Sequence, residues 1–151
     1  MILFSSALEL IDNSNIIMSN LIIDAAGDKI FLTLIVDKNI YTCSHENSKS
    51  NFEKLIILIN DFLKNNESSL SKIKDIYVNR GPGSFAGIRN SLSTIKALFL
   101  SQKIDYYCFS FLDFDQSDKV KYEDVPYLCD KYKVKKNLIN WGFIFNQKFI
   151  N

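Results

Sequence analysis

The stretch Arg80-Gly-Pro-Gly-Ser-Phe-Ala-Gly-Ile-Arg89 gathers three of the chain's five glycines, one of its two prolines and two arginines at one junction. Gly81 and Gly83 permit positive φ, Pro82 fixes its own φ, and the preceding Ile76-Tyr77-Val78 favours β structure, so a strand reverses here into a helix. A glycine-rich strand-to-helix turn is a common way to present backbone N–H groups to a phosphate. Both familiar phosphate fingerprints fail, however. A Walker loop counted from Gly81 requires glycine at 86 followed by Lys and Ser/Thr, where this chain has Ala86, Gly87 and Ile88. The dinucleotide fingerprint also wants glycine at 86, and no acidic residue follows to hold a ribose before Asp105. On geometry alone the plainer account is a tight turn that lets the helix pack closely on the sheet, with Ser84 as its cap.

Other groups able to do chemistry are sparse. Ser84 could be considered as a nucleophile, but Ala86 breaks the Gly-x-Ser-x-Gly pattern and no histidine lies near it in sequence. His45 is the chain's single histidine, which excludes a multi-histidine metal site, and its Ser, Glu and Asn neighbours place it in a surface loop. Asp24 and Asp28 are too few to cage a cation, and Asp28 reads as a turn residue. Cys43, Cys108 and Cys129 are odd in number and lack CxxC spacing, as in a reducing cytosol. A formal net charge of +1 gives no overall field to draw nucleic acid. The run Lys131, Lys133, Lys135 and Lys136, interleaved with Tyr132 and Val134, reads as a lysine-guarded edge strand rather than an RNA contact.

The elements that must position these groups follow from periodicity. At 151 residues and 47% apolar content the chain can bury one sizeable core. Strands are expected near 20–24, 30–36 and 39–43, joined by turns at Ala26-Gly27-Asp28-Lys29 and Asp37-Lys38-Asn39. Ser50 and Glu53 have capping-box spacing ahead of a helix running to about Lys64. A strand over 74–79 then enters the glycine turn, a helix over 85–101 carries the stripe Ile88, Leu92, Ile95 and Phe99, and a fifth strand fits 104–110. Ile57 and Leu58 make the first helix apolar beyond one sheet-facing side, and Gly87, Ser91 and Thr94 give the second a small-residue face. That face suits either internal packing or the approach of a partner helix. Phe111 to Asp124 reads as a short acid-rich connection, and alternation of Ile139, Trp141, Phe143 and Phe145 predicts a half-buried strand. The expected organisation is therefore an extension over 1–17 (translation starting at Met1 or Met18), a domain over 18–110, a linker over 111–125 and a tail over 126–151. No apolar run approaches membrane-spanning length, and no basic region precedes Ile2-Leu3-Phe4, so a cytoplasmic protein is expected.

The signature Arg80 to Arg89, followed by Ser91-Leu-Ser-Thr-Ile-Lys-Ala-Leu98, resembles that of the TsaB (YeaZ) family, which is related to TsaD and to the sugar-kinase, Hsp70 and actin superfamily. The family usually has Thr at 86, Gly at 91, Ala at 95 and Gly at 97. Leu21-Ile-Ile-Asp24-Ala-Ala is similar to its opening strand, Asn51-Phe-Glu53-Lys-Leu55 to its His-Ser-Glu-x-Leu helix start, and Pro126-Tyr-Leu-Cys129 faintly to a Pro-x-Tyr-Leu-Arg near its C-termini. The resemblance implies an α/β, ribonuclease-H-like half-fold with most of a second subdomain missing. It makes Arg80, Gly81, Pro82, Gly83, Ser84, Phe85, Gly87 and Arg89 the signature loop, and Asp24 a vestigial phosphate-loop position whose neighbour Ala25 lacks the usual hydroxyl. It also implies a non-catalytic pseudoenzyme that pairs through its two helices, here through Ile57, Leu58, Gly87, Ser91 and Thr94, with a TsaD-like catalytic subunit. With a TsaE-like ATPase, and with threonylcarbamoyl-adenylate made by TsaC, such an assembly installs N6-threonylcarbamoyladenosine at position 37 of tRNAs reading codons that begin with A. This chain alone would then bind no cofactor or metal, ATP and threonylcarbamoyl-adenylate being used by the partners, and would meet tRNA only through the complex. Two alternatives stay open, a homodimeric remnant outside tRNA modification and a glycopeptidase-like hydrolase.

Overall fold

A computed structural model describes residues 17–115, 117–142 and 144. The branched segments Leu21-Ile-Ile and Ile30 to Val36 form β1 (Ser19–Asp24) and β2 (Lys29–Val36), and β3 spans Asn39–Glu46. The helices α1 (Lys49–Glu53) and α2 (Leu55–Asn65) follow, then β4 (Ile73–Asn79), α3 (Phe85–Gln102), β5 (Asp105–Phe109) and α4 (Val125–Lys131). The five strands make one sheet in the order β3-β2-β1-β4-β5. Short turns leave β1, β2 and β3 antiparallel, whereas the helical crossovers make β1, β4 and β5 parallel. This is the arrangement expected of a ribonuclease-H-like half.

The pleat sends alternate residues to opposite faces. Leu21, Ile23, Ile76, Val78, Tyr106 and Cys108 join Leu55, Ile59 and Leu63 of α2 and Ile88, Leu92 and Ile95 of α3 in the main core. The other face carries Ile22, Tyr77 and Phe109, as parallel strands covered on both sides require.

That second apolar face changes the account of residues 111–125. They are not a linker. Three 3-10 turns, Phe111–Asp113, Ser117–Lys119 and Tyr122–Asp124, lead into α4, and Phe114, Val125 and Cys129 are buried against Ile22, Tyr77 and Phe109. The apolar area that would otherwise face water supplies the reason, at about 1.5–3 kcal/mol for each large side chain buried.

Four smaller corrections follow from longer pairing and local caps. β3 continues to Glu46, so His45 is a half-buried strand residue opposite Ile30 and not part of a surface loop. Ser48, not Ser50, caps α1, its Oγ accepting from Asn51 N at 3.2 Å, and the helix breaks at Lys54. The lysine run forms no strand; Lys136 makes one bridge to Tyr107. In the tail, Trp141, Gly142 and Ile144 are helical, with Ile144 N donating to Asn140 O, so the predicted alternate strand is absent over the described part; Phe143 and Phe145 lie outside the described residues, as does the expected extension apart from Ile17.

Candidate functional site

In a sheet of this kind ligands meet the carboxyl ends of parallel strands, and here β1 ends in Asp24 beside Asn79 at the end of β4. Asp24 is 7% exposed. Its Oδ1 accepts from Ala26 N at 3.0 Å and from Asn79 Nδ2 at 3.1 Å, and its Oδ2 accepts from the Tyr122 hydroxyl at 2.7 Å. Both carboxylate oxygens are therefore engaged by the chain itself. Tyr122 is steadied by the rings of Phe31 and Phe111, whose centroids lie 5.9 and 6.1 Å from its own. Burial first, then the bond to Asp24 and the charge of that carboxylate, raise the Tyr122 hydroxyl far above its ordinary range, so it remains a donor at any physiological pH.

The glycine loop is tied to the same strand end. Gly81 has φ 97°, and its N–H donates to Asn79 Oδ1 at 2.8 Å. Gly83 has φ 156°, and the next residue, Ser84, donates its N–H to Ala26 O at 2.7 Å. As its residue type predicts, Ser84 caps α3 by accepting from Gly87 N at 3.2 Å. Gly87 faces Ala25, where any Cβ would collide with the backbone carbonyl. Asn47 closes the other side by donating to the carbonyls of Ala25 and Gly27. Of the N–H groups that might have cradled a phosphate, those of Gly81, Ser84 and Gly87 are thus taken by Asn79, Ala26 and the Ser84 cap.

The remaining signature residues divide between structure and surface. Arg80 Nη2 binds Asp113 Oδ1 at 2.6 Å, while Asp113 Oδ2 accepts from Ser110 N at 2.9 Å, anchoring the first 3-10 turn of the second face. Pro82 and Arg89 are exposed, and Arg89 lies over the half-buried Phe85 ring at 5.6 Å. Cys108 and Cys129 are buried, which pushes each thiol up to about 12 and keeps it protonated at neutral pH. Among the described residues no group of three or more His, Cys, Asp or Glu could hold a metal, and no helix is long and apolar enough to cross a membrane.

The expected partner face is only partly at the surface. Ile57 is 54% exposed beside Ile56 on α2, and Thr94 is half-buried, its Oγ1 donating to Asn90 O at 2.8 Å. Leu58, Gly87 and Ser91 are buried within the chain, and Ser91 Oγ donates to Ile88 O at 3.0 Å. Gly87 and Ser91 thus serve internal packing, the other use the sequence left open for that face, and Leu58, expected at the partner face, is instead buried in the chain. Residue spacing also missed Tyr122, Asn79, Asp113 and Asn47; Asn79 alone stood beside the signature where its role could have been sought.

A family model described as TsaD, tRNA N6-adenosine threonylcarbamoyltransferase, matches residues 45–114. The tRNA threonylcarbamoyladenosine biosynthesis protein TsaB of Buchnera aphidicola subsp. Schizaphis graminum is 32% identical over 97 residues, covering 63% of this chain and 46% of the relative. The protein of the same name from Buchnera aphidicola subsp. Baizongia pistaciae is 31% identical over 86 residues, covering 48% and 39%. The chain thus spans less than half the length of these curated relatives. The solved structure of YeaZ from Pseudomonas aeruginosa superposes with a TM-score of 0.57 at 19% identity, over 62% of this chain and 44% of that one, and shares its fold.

Proposed function

The chain is a TsaB/YeaZ-family protein, and from that premise we propose that it serves the threonylcarbamoyladenosine modification of tRNA as a non-catalytic scaffold subunit paired with a TsaD-like catalytic subunit. The observation that carries this reading is the closed state of Asp24, both of whose carboxylate oxygens are engaged, by Ala26 N, Asn79 and Tyr122, so that a metal or a reacting proton would have to compete with three internal donors. Ser84 is engaged as a helix cap, and among the described residues no base is hydrogen-bonded to it, which speaks against a hydrolase. In the scaffold role ATP and threonylcarbamoyl-adenylate belong to the TsaD-like and TsaE-like partners.

The surface offered to the catalytic subunit is the exposed apolar part of α2, Ile56 and Ile57, together with the half-buried Thr94 of α3. Interface centres are apolar and tolerate an unpaired charge poorly. Ile57→Glu therefore leaves the isolated chain folded, within about 0.5 kcal/mol of the parent as surface changes usually are, yet abolishes co-purification with the co-expressed TsaD-like subunit. Leu58→Glu, by contrast, unfolds the chain. Intact co-purification of a folded Ile57→Glu variant rejects this face as the interface. Self-association that ignores the partner and disappears in the same variant would instead make the chain a homodimer outside tRNA modification.

A further inference from the structure

The lysine run that a guarded edge strand would have explained does not form one. After Lys131 ends α4 the chain bends at Lys133 (φ 57°) and again at Asn137 (φ 60°). Asn137 is pinned to β5, donating its N–H to Tyr106 O at 2.7 Å and accepting from Tyr106 N at 2.8 Å. Val134 turns inward onto the second-face core, which leaves Lys133, Lys135 and Lys136 exposed. With the exposed Lys74 of β4 they border a groove of about 510 Å³ floored by Tyr77 and Tyr107, whose rings stack at 5.0 Å.

The groove is positive although the chain as a whole is nearly neutral. Asp105 is taken up by Lys136 at 3.6 Å and by Asn137 Nδ2 at 2.9 Å. Asp75 lies buried in the floor, where desolvation raises its carboxyl against the opposing pull of Lys74. Asp130 is the exposed acid on the rim. Four ammonium groups, of Lys74, Lys133, Lys135 and Lys136, stand against three carboxylates, the buried Asp75 and the two nearer the surface, Asp105 and Asp130, which leaves one positive charge in excess and puts the lysines on the exposed rim.

We propose that this groove binds the phosphodiester backbone of RNA directly, so that the chain contributes its own contact to the nucleic acid and does not meet it only through a partner. The charge complementarity stands on the structure; the choice of RNA among polyanions rests on the tRNA-modification reading. Backbone contacts of this kind release counterions, and affinity falls with salt in proportion to the phosphates neutralised.

The test is fluorescence anisotropy of a labelled, unmodified tRNA transcript titrated with the full chain alone between 50 and 200 mM salt. Three or four lysine contacts give a log–log slope of about −2 to −3.5. The double substitution Lys133→Glu/Lys135→Glu is expected to weaken binding by about tenfold or more and to flatten the slope by roughly 2. The control Lys38→Glu/Lys64→Glu makes the same change in net charge at exposed lysines of the β2–β3 turn and α2, and it is expected to stay within about twofold of the parent. Circular dichroism confirms that both are folded. Equal weakening in both variants, absence of binding at 50 mM salt, or binding to phosphatidylserine vesicles but not to tRNA would overturn the proposal. Because this assay omits the TsaD-like subunit and the co-purification omits RNA, either reading can fail while the other stands.

Discussion

Replacing Tyr122 by Phe deletes one hydroxyl and leaves the ring between Phe31 and Phe111. The lost bond is short, 2.7 Å, and its acceptor is a carboxylate that is only 7% exposed. Hydrogen bonds to charged groups contribute about 1.5–3 kcal/mol. At about 2–4 °C per kcal/mol for a chain of this size, Tm falls by roughly 3–12 °C, read by differential scanning calorimetry. The pH dependence supplies an independent check. Tyr122 has a raised folded-state pKa, so the folded chain keeps a proton that the unfolded chain gives up above its ordinary value near 10. Stability from this group is complete below pH 10 and is lost as pH climbs beyond it. The Tyr122→Phe variant lacks that contribution, and its alkaline loss of stability is shallower than the parent's, with the other raised groups, Tyr77, Tyr106, Tyr107, Cys43, Cys108 and Cys129, accounting for what remains. A variant with the parent's Tm and an identical alkaline limb would refute the claim that Tyr122 secures Asp24.

Two further outcomes are expected. A Cβ at Gly87 would stand 2.0 Å from Ala25 O, against about 3.4 Å for ordinary contact, so Gly87→Ala forces α3 from β1 by more than an ångström; Tm should fall by roughly 4–10 °C, whereas normal stability with selective loss of the partner would return Gly87 to the interface. Isothermal calorimetry of the chain with ATP and magnesium should show no binding, and micromolar affinity would overturn the non-catalytic reading.

What the sequence made legible were features with a period or a compact signal. Ile88, Leu92 and Ile95 are buried on α3 as their spacing predicts, and the expected strands over 20–24, 30–36 and 74–79 each match within one residue at either end. Ser84 was identified as a cap because an N-cap bond is made within three residues of its own position. By contrast, Tyr122 and Asp24 are 98 positions apart, and nothing in either neighbourhood points to the other. Phe111–Asp113, Ser117–Lys119 and Tyr122–Asp124 form 3-10 turns, whose brevity leaves no hydrophobic period to detect. Their acidic residues suggested solvent, although Asp113 pairs with Arg80 and supports the turn beneath it. Gly87 and Ser91 were ambiguous for a different reason. Small residues permit close approach, but composition does not say whether a strand of the same chain or a helix of another molecule approaches.

The second face also sets how hard Asp24 would be to reopen. A nucleotide phosphate at the end of β1 must displace Tyr122, which with Val120 and Phe111 belongs to the layer packed against Ile22, Tyr77 and Phe109. Exposing three such side chains costs roughly 5–9 kcal/mol, at about 1.5–3 kcal/mol each. A ligand can shift a conformational balance only by its differential affinity for the two states. An intrinsic micromolar site is worth about 8 kcal/mol, so the opening penalty alone would bring it to millimolar or weaker. The closure is thus more than a single hydrogen bond that a substrate could exchange for its own. It couples Asp24 to the layer that covers Ile22, Tyr77 and Phe109, so the strength of that cover is what the proposed non-catalytic reading stands or falls on.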